Sequence, residues 1–191
     1  LKDGVWEKPS PFYLNDSSFS VGHPSLSQDG KQLYFTSDMS GGYGGTDLYV
    51  CHQEGEEWGP AKNLGRIINT LGDEMFPAII DSALYFSSNG HMGYGGLDIF
   101  KSQLEGTIWS KPTNLLAPLN SSYDDFGISF SPDLKSGYLS SNRPGGLGSD
   151  DIYSFEIIIP VPNILAGYVV ECSSEAYLTG LVKDSQTLQP I

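Results

Sequence analysis

The chain has 191 residues, a formal net charge of -13 and a pI near 4.3. Its 10 Lys and Arg residues are too few to neutralise a run of phosphates, which argues against nucleic acid and anionic membrane surfaces as partners. Gly 23, Pro 12 and an aromatic fraction of 12% fit short strands joined by tight turns, not a helical bundle.

Residues 1–16 hold one landmark, Trp6, whose meaning depends on the later tryptophans. A lead-in segment, His23-Pro24-Ser25-Leu26-Ser27, runs into a turn over Ser27–Lys31, where Asp29 and Ser27 can bond the local backbone. Leu33-Tyr34-Phe35-Thr36-Ser37 then reads as a strand, since aromatic and β-branched residues suit a pleated, half-buried surface. A glycine-rich loop, Gly41–Thr46, leads to a third strand, Asp47-Leu48-Tyr49-Val50. Trp58 and Asn63-Leu64 mark a fourth.

The same order returns twice. Met75–Ile80, Leu84–Ser88, Gly93–Leu97, Asp98–Lys101 and Trp109 with Asn114-Leu115 form a second unit. Phe126–Ser131, Gly137–Ser141, Gly145–Asp150 and Asp151–Ser154 form a third. The aspartates step by 51 and 53 residues, from Asp47 to Asp98 to Asp151. The shorter step reflects a turn reduced to Asp81-Ser82-Ala83. A period near 50 with four short strands per unit predicts an all-β chain made of β-propeller blades. Three blades span residues 17–156. Trp6 lies 52 residues before Trp58, so residues 1–16 are expected to be the outer strand of a preceding blade. Phe155–Pro162 replaces a tryptophan strand after the third unit. Closed propellers use four to eight blades, so the chain is expected to be a fragment of a larger propeller. Leu1, with neither an initiating Met nor a leader, is read as a boundary within a longer protein.

No apolar run approaches the ~18 residues of a membrane span, and Ile157-Ile158-Ile159 stops at Pro160. Cys51 and Cys172 cannot build a disulfide framework and are read as free thiols, with a single bridge open to them in an oxidising compartment.

The recurring polar residues invite a functional reading. Asp47, Asp98 and Asp151 follow glycine-rich loops that superficially resemble calcium-binding repeats. Such repeats stack turns about nine residues apart and surround a hard cation with six or more oxygens. Here the loops lie more than 50 residues apart, so the three aspartates are expected to cap turns by accepting backbone N–H bonds, with no metal. Asp73-Glu74 and Asp124-Asp125 also recur 51 apart. A carboxylate pair can serve as an acid/base couple, but one pair per blade suits solvated turns better than a single catalytic constellation. His23, His52 and His91 show no metal spacing, and no Gly-x-Ser-x-Gly elbow occurs. No catalytic residue and no cofactor is therefore expected. The loop residues Tyr43, Tyr94, His91 and Arg143 are the candidate contacts for a partner, with Arg143 read as the most exposed loop cation able to grip an acidic surface.

Ser131-Pro132-Asp133, Tyr34-Phe35-Thr36-Ser37-Asp38 and Ser141-Asn142-Arg143-Pro144-Gly145-Gly146 resemble the WD-like repeats of TolB-type propellers. The resemblance covers roughly residues 20–156. The long Gly-x-Gly-Gly-x-Asp loops are most similar to those of large OmpA-family envelope proteins, including a PorE-like branch associated with type IX secretion. In that family the propeller precedes a carboxypeptidase-regulatory-like β-sandwich. Residues 157–191 resemble a linker and the opening strands of such a sandwich, through Gly180-Leu181-Val182-Lys183-Asp184 and Pro190-Ile191, with Gln189 where the family usually has glycine. The resemblance implies a periplasmic, outer-membrane- or peptidoglycan-associated scaffold that binds envelope proteins. Peptidoglycan itself would be held by domains outside this chain. A propeller accompanying a hydrolase, and a glycan-binding module using the loop tyrosines, are the alternatives.

Overall fold

The structure is a computed structural model that describes residues 4–158 apart from residues 7 and 10. Cys172 and the expected sandwich strands lie outside the described residues. No helix occurs among the described residues; thirteen strands form three successive antiparallel sheets.

Blade one comprises β1 (Val21–Leu26), β2 (Gln32–Ser37), β3 (Asp47–Glu54), β4 (Glu57–Trp58) and β5 (Lys62–Asn63). Blade two comprises β6 (Glu74–Ile80), β7 (Ala83–Ser88), β8 (Asp98–Glu105), β9 (Ile108–Trp109) and β10 (Thr113–Asn114). Blade three has β11 (Asp125–Phe130), β12 (Ser136–Ser141) and β13 (Asp151–Glu156). The registers coincide: Ser37 faces Asp47, Ser88 faces Asp98 and Ser141 faces Asp151. The three sheets are thus equivalent blades of a partial β-propeller, in the register that the repeat predicts.

The fourth strand differs from expectation. It is broken into two short pieces, β4 and β5 in blade one and β9 and β10 in blade two, both paired to the third strand. Pro60 and Pro112 stand in the gaps and have no N–H to donate to a ladder. The described residues among 4–16 are also less regular than a complete outer strand. Trp6 is 84% exposed, while Phe12 and Leu14 pack on Phe35, Tyr49 and Cys51 of blade one. That is where Leu64 and Ile68 sit on blade two, so the segment occupies the place of a connector from a preceding blade.

The first strand of every blade carries a bulge at the same point, between Gly22 and Ser25, Met75 and Ala78, and Phe126 and Ser129. The bulge places His23, Phe76 and Gly127 at φ 49°, 52° and 63°. Glycine takes that conformation freely, whereas His and Phe are strained in it. Stacking offsets part of the cost: the His23 and Phe76 rings lie 3.8 Å apart at 18°, and Phe76 lies 5.0 Å from Phe126.

Between blades one and two, Tyr34, Leu48 and Val50 meet Leu84, Phe86, Phe100 and Trp109. Between blades two and three, Tyr85 and Ile99 meet Ile128, Phe130, Leu139 and Tyr153. The core is therefore layered between sheets, and blade two is covered by a neighbour on each face.

Candidate functional site

The glycine-rich loops are built around their aspartates. Asp47 accepts the N–H groups of Tyr43 at 2.7 Å and Gly44 at 3.2 Å, and the Asn63 amide at 2.7 Å. Asp98 accepts Tyr94 and Gly95 N–H at 2.7 and 3.0 Å, and Asp151 accepts Leu147 and Gly148 N–H, both at 3.1 Å. These carboxylates act as turn caps. A side chain at Gly93 would run into the Asp98 carboxylate, which is why the loop needs glycine there. Among the described residues no group of three or more His, Cys, Asp or Glu is placed to hold a metal ion.

The acidic pairs are not solvated turns. Asp73 accepts the Thr46 N–H of blade one at 3.0 Å, and Asp124 accepts the Leu97 N–H of blade two at 2.8 Å. Each is held in a reciprocal side-chain bond, Asp73 by Asn89 and Asp124 by Asn142. Backbone bonds run beside them, Glu74 N–H to Thr46 O and Asp125 N–H to Leu97 O. The second members are fully buried. Glu74 accepts Thr70 N–H, Thr70 Oγ1–H and Ser88 Oγ–H at 2.7–2.8 Å, and Asp125 accepts Ser121 N–H and Oγ–H. Repetition of the pair marks an inter-blade clamp, with every carboxylate oriented by backbone or side-chain donors.

Arg143 is the clearest correction. Rather than an exposed cation, it is inserted beneath the connector between blades two and three. It donates to Pro118 O at 3.0 Å, Leu119 O at 2.6 Å and Ser141 Oγ at 3.0 Å, and pairs with Asp125. Its guanidinium also lies over the Tyr153 ring. Four hydrogen bonds hold its guanidinium to a buried acid, two connector carbonyls and the Ser141 hydroxyl, so it faces inward. His91 has the matching role at the preceding junction. Its Nε2 is 2.7 Å from Ile68 O, an acceptor only, so Nε2 carries a proton, and the ring packs against Phe86 and Phe100.

Sequence reasoning missed two further buried residues. Asn69 pairs with both main-chain groups of Leu48, and Asn120 with both of Ile99, each amide standing in for a strand partner. The signal was available: Asn63 and Asn69 are spaced like Asn114 and Asn120, and the sets recur 51 apart.

Of the four loop candidates, the structure brings Tyr43 and His91 together. They line a cleft of about 800 Å³ at the junction of blades one and two, with Arg66, Asn69, Thr70 and Leu71. Tyr94 is exposed and Arg143 is committed internally, both outside this cleft. Arg66, which the sequence reading did not single out, lies with its guanidinium 5.2 Å from the Tyr43 ring centroid. Ala117 occupies its position in the next unit, so repetition could not reveal it. Leu71 on the rim is 90% exposed.

Cys51 is a buried free thiol. Burial raises its pKa, with a smaller opposing effect from its hydrogen bond to Tyr13 Oη at 3.3 Å, which keeps it a thiol rather than a nucleophilic thiolate. Burial likewise pushes the Tyr34 hydroxyl up to about 12.

No family model matches the chain, and no curated protein matches it. Among solved structures, it is similar to a prolyl endopeptidase from a structural and mechanistic study of two such enzymes and their inter-domain dynamics. The identity is 15% and the TM-score 0.45, over 79% of this chain and 21% of that protein. This chain thus spans about a fifth of that enzyme's length, and a superposition this loose carries no argument about activity.

Proposed function

We propose that the chain is a non-catalytic protein-interaction module of a bacterial cell-envelope scaffold, and that it receives a carboxylate-bearing segment of its partner in the cleft between blades one and two. The observation that carries this reading is Arg66. Among the described residues it forms no ion pair, and Tyr43 holds its guanidinium at the mouth of a cleft beside His91 and the exposed Leu71. A planar fork of donors suits a carboxylate, and Leu71 adds an apolar contact. The blades provide a rigid frame, since the acidic pairs are occupied in clamps between them.

The finer assignment rests on the sequence motifs. The TolB-type repeats and glycine-rich loops support membership of the OmpA-family envelope proteins, including the PorE-like branch of type IX secretion. With it come a periplasmic location and peptidoglycan contact through other domains. The net charge of -13 favours a partner whose wider surface is basic.

The test is retention of envelope proteins on immobilised chain, compared with the Arg66→Glu variant at low and high salt. The proposal expects a protein retained by the parent, lost from Arg66→Glu, and released as salt rises. Equal retention by both would remove the cleft from the mechanism. Turnover of a peptide or ester substrate would put the hydrolase alternative first.

A further inference from the structure

Blades one and two are built alike around the aspartate that opens the third strand, yet one polar contact differs. In blade one Asn63 Nδ2 donates to Asp47 Oδ2 at 2.7 Å, while Asn63 Oδ1 accepts Gly65 N–H and the Asn69 amide, both at 2.8 Å. In blade two Asn114 Oδ1 accepts the corresponding donors, Leu116 N–H at 2.7 Å and the Asn120 amide at 2.8 Å. Its Nδ2, however, has no acceptor among the described residues. Asp98 accepts Tyr94 and Gly95 N–H through Oδ2 alone, and its Oδ1 meets no donor among them. Both orphaned atoms are buried, and Asp98 as a whole is 1% exposed.

This contrast coincides with one difference in the repeat. Tyr49 stands two residues after Asp47, and Phe100 two residues after Asp98. The rings take equivalent places: Tyr49 stacks on Phe35 with centroids 5.8 Å apart, and Phe100 on Phe86 with centroids 6.0 Å apart. A Cβ at Gly42 would meet the Asp47 carboxylate and the Tyr49 hydroxyl together, so that hydroxyl lies at the aspartate. Burial raises the Tyr49 pKa, the Asn63 amide lowers it and the Asp47 charge raises it, as befits a hydroxyl beside those two side chains. Phe100 brings no such hydroxyl to Asp98 and Asn114.

We propose that Asp98 and Asn114 form a binding site for one water molecule, placed where the Tyr49 hydroxyl stands in blade one. The water donates to Asp98 Oδ1 and accepts from Asn114 Nδ2. A lone acceptor beside a lone donor selects this ligand. A cation would suit the carboxylate but not the amide N–H, and a hard cation wants six or more oxygens. An anion would face the Asp98 charge. Water fills both roles, and buried polar groups that lack a protein partner are commonly joined in this way. The consequence reaches the loops, because Asp98 caps the turn that carries Tyr94. The water ties this cap to β10 through Asn114, as the direct bond from Asn63 ties Asp47 to β5. The proposal is independent of the Arg66 cleft, which neither side chain lines.

A crystal structure of the purified chain, at a resolution that shows ordered water, tests it. The expected result is a density peak roughly 2.7–3.2 Å from both Asp98 Oδ1 and Asn114 Nδ2. In Phe100→Tyr the new hydroxyl should take the place of that peak, and Tyr49→Phe should bring a new peak beside Asp47 and Asn63. In solution, Phe100→Tyr should slow amide exchange at Tyr94 and Gly95 by about threefold or more, since a fixed hydroxyl replaces an exchangeable water. A direct bond from Asn114 to Asp98 with no density between them would overturn the proposal. So would a peak with contacts near ~2.4 Å, the mark of a cation, or a peak that persists in Phe100→Tyr. If Phe100→Tyr fails to fold, Tyr49→Phe decides, because it only removes an oxygen.

Discussion

Tyr34 of blade one and Trp109 of blade two meet edge to face, with ring centroids 6.2 Å apart at 78°. The contact joins sheets whose residues lie 75 positions apart, and it sits in the cluster that buries Leu48, Phe86 and Phe100. Trp109→Ala should therefore cost about 3–5 kcal/mol, through lost apolar contact and the cavity left between blades. Trp58→Ala should cost less, because Trp58 is only partly buried. Urea unfolding of the two variants checks the order; equal losses would contradict it.

The clamps give a second prediction. Glu74→Leu removes the acceptor of three bonds and leaves Thr70 N–H, Thr70 Oγ1–H and Ser88 Oγ–H without their partner. Each orphaned donor costs about 1–3 kcal/mol where water cannot reach it. The variant should be several kcal/mol less stable, and hydrogen exchange should accelerate first at the junction of blades one and two. Asp98→Asn keeps one acceptor oxygen for Tyr94 and Gly95 N–H, so its loss should be near 1 kcal/mol, as for other cap substitutions.

The contrast between these residues shows what is legible in the sequence. Period and strand order are readable because Tyr34, Tyr85 and Tyr138 recur with the aspartates that begin each third strand. The role of Asp73-Glu74 is not. Spacing shows that a pair repeats, but the donors it meets come from Thr46 in another blade, 27 residues away. Arg143 misleads for the same reason: Ser-Asn-Arg-Pro-Gly-Gly looks like a loop tip until Leu119 and Asp125 are brought beneath it. Arg66 leaves no trace in the repeat, because Ala117 takes its place at the next junction.

His23 supplies a pH prediction. Burial lowers its pKa below the ordinary value. The unfolded chain takes up this proton near pH ~6.5, before the folded chain does. Between the two pKa values the unfolded state binds more protons, so stability is full above about 6.5 and falls as pH drops towards the folded pKa. His23→Phe should preserve the stack on Phe76 and abolish this part of the acid loss. Urea midpoints at pH 7 and pH 5 measure it, and an unchanged difference between the two would exclude His23 as the source.

The last prediction separates Arg143 from an ordinary surface arginine. Its side chain is 20% exposed and its partner Asp125 is 0% exposed, so Arg143→Ala would leave a buried carboxylate without its cation. Breaking a buried pair from one side costs about 3–5 kcal/mol. Arg143→Lys should recover only part of this. A single ammonium cannot reach Leu119 O, Pro118 O and Asp125 together, as the guanidinium fork does. Removing both charges, as Arg143→Met with Asp125→Asn, should cost less than the sum of the single changes, because neither charge is left stranded. A double-mutant cycle by urea denaturation tests this. Additive losses would mean that the pair is not coupled, and that Arg143 acts only through the two connector carbonyls.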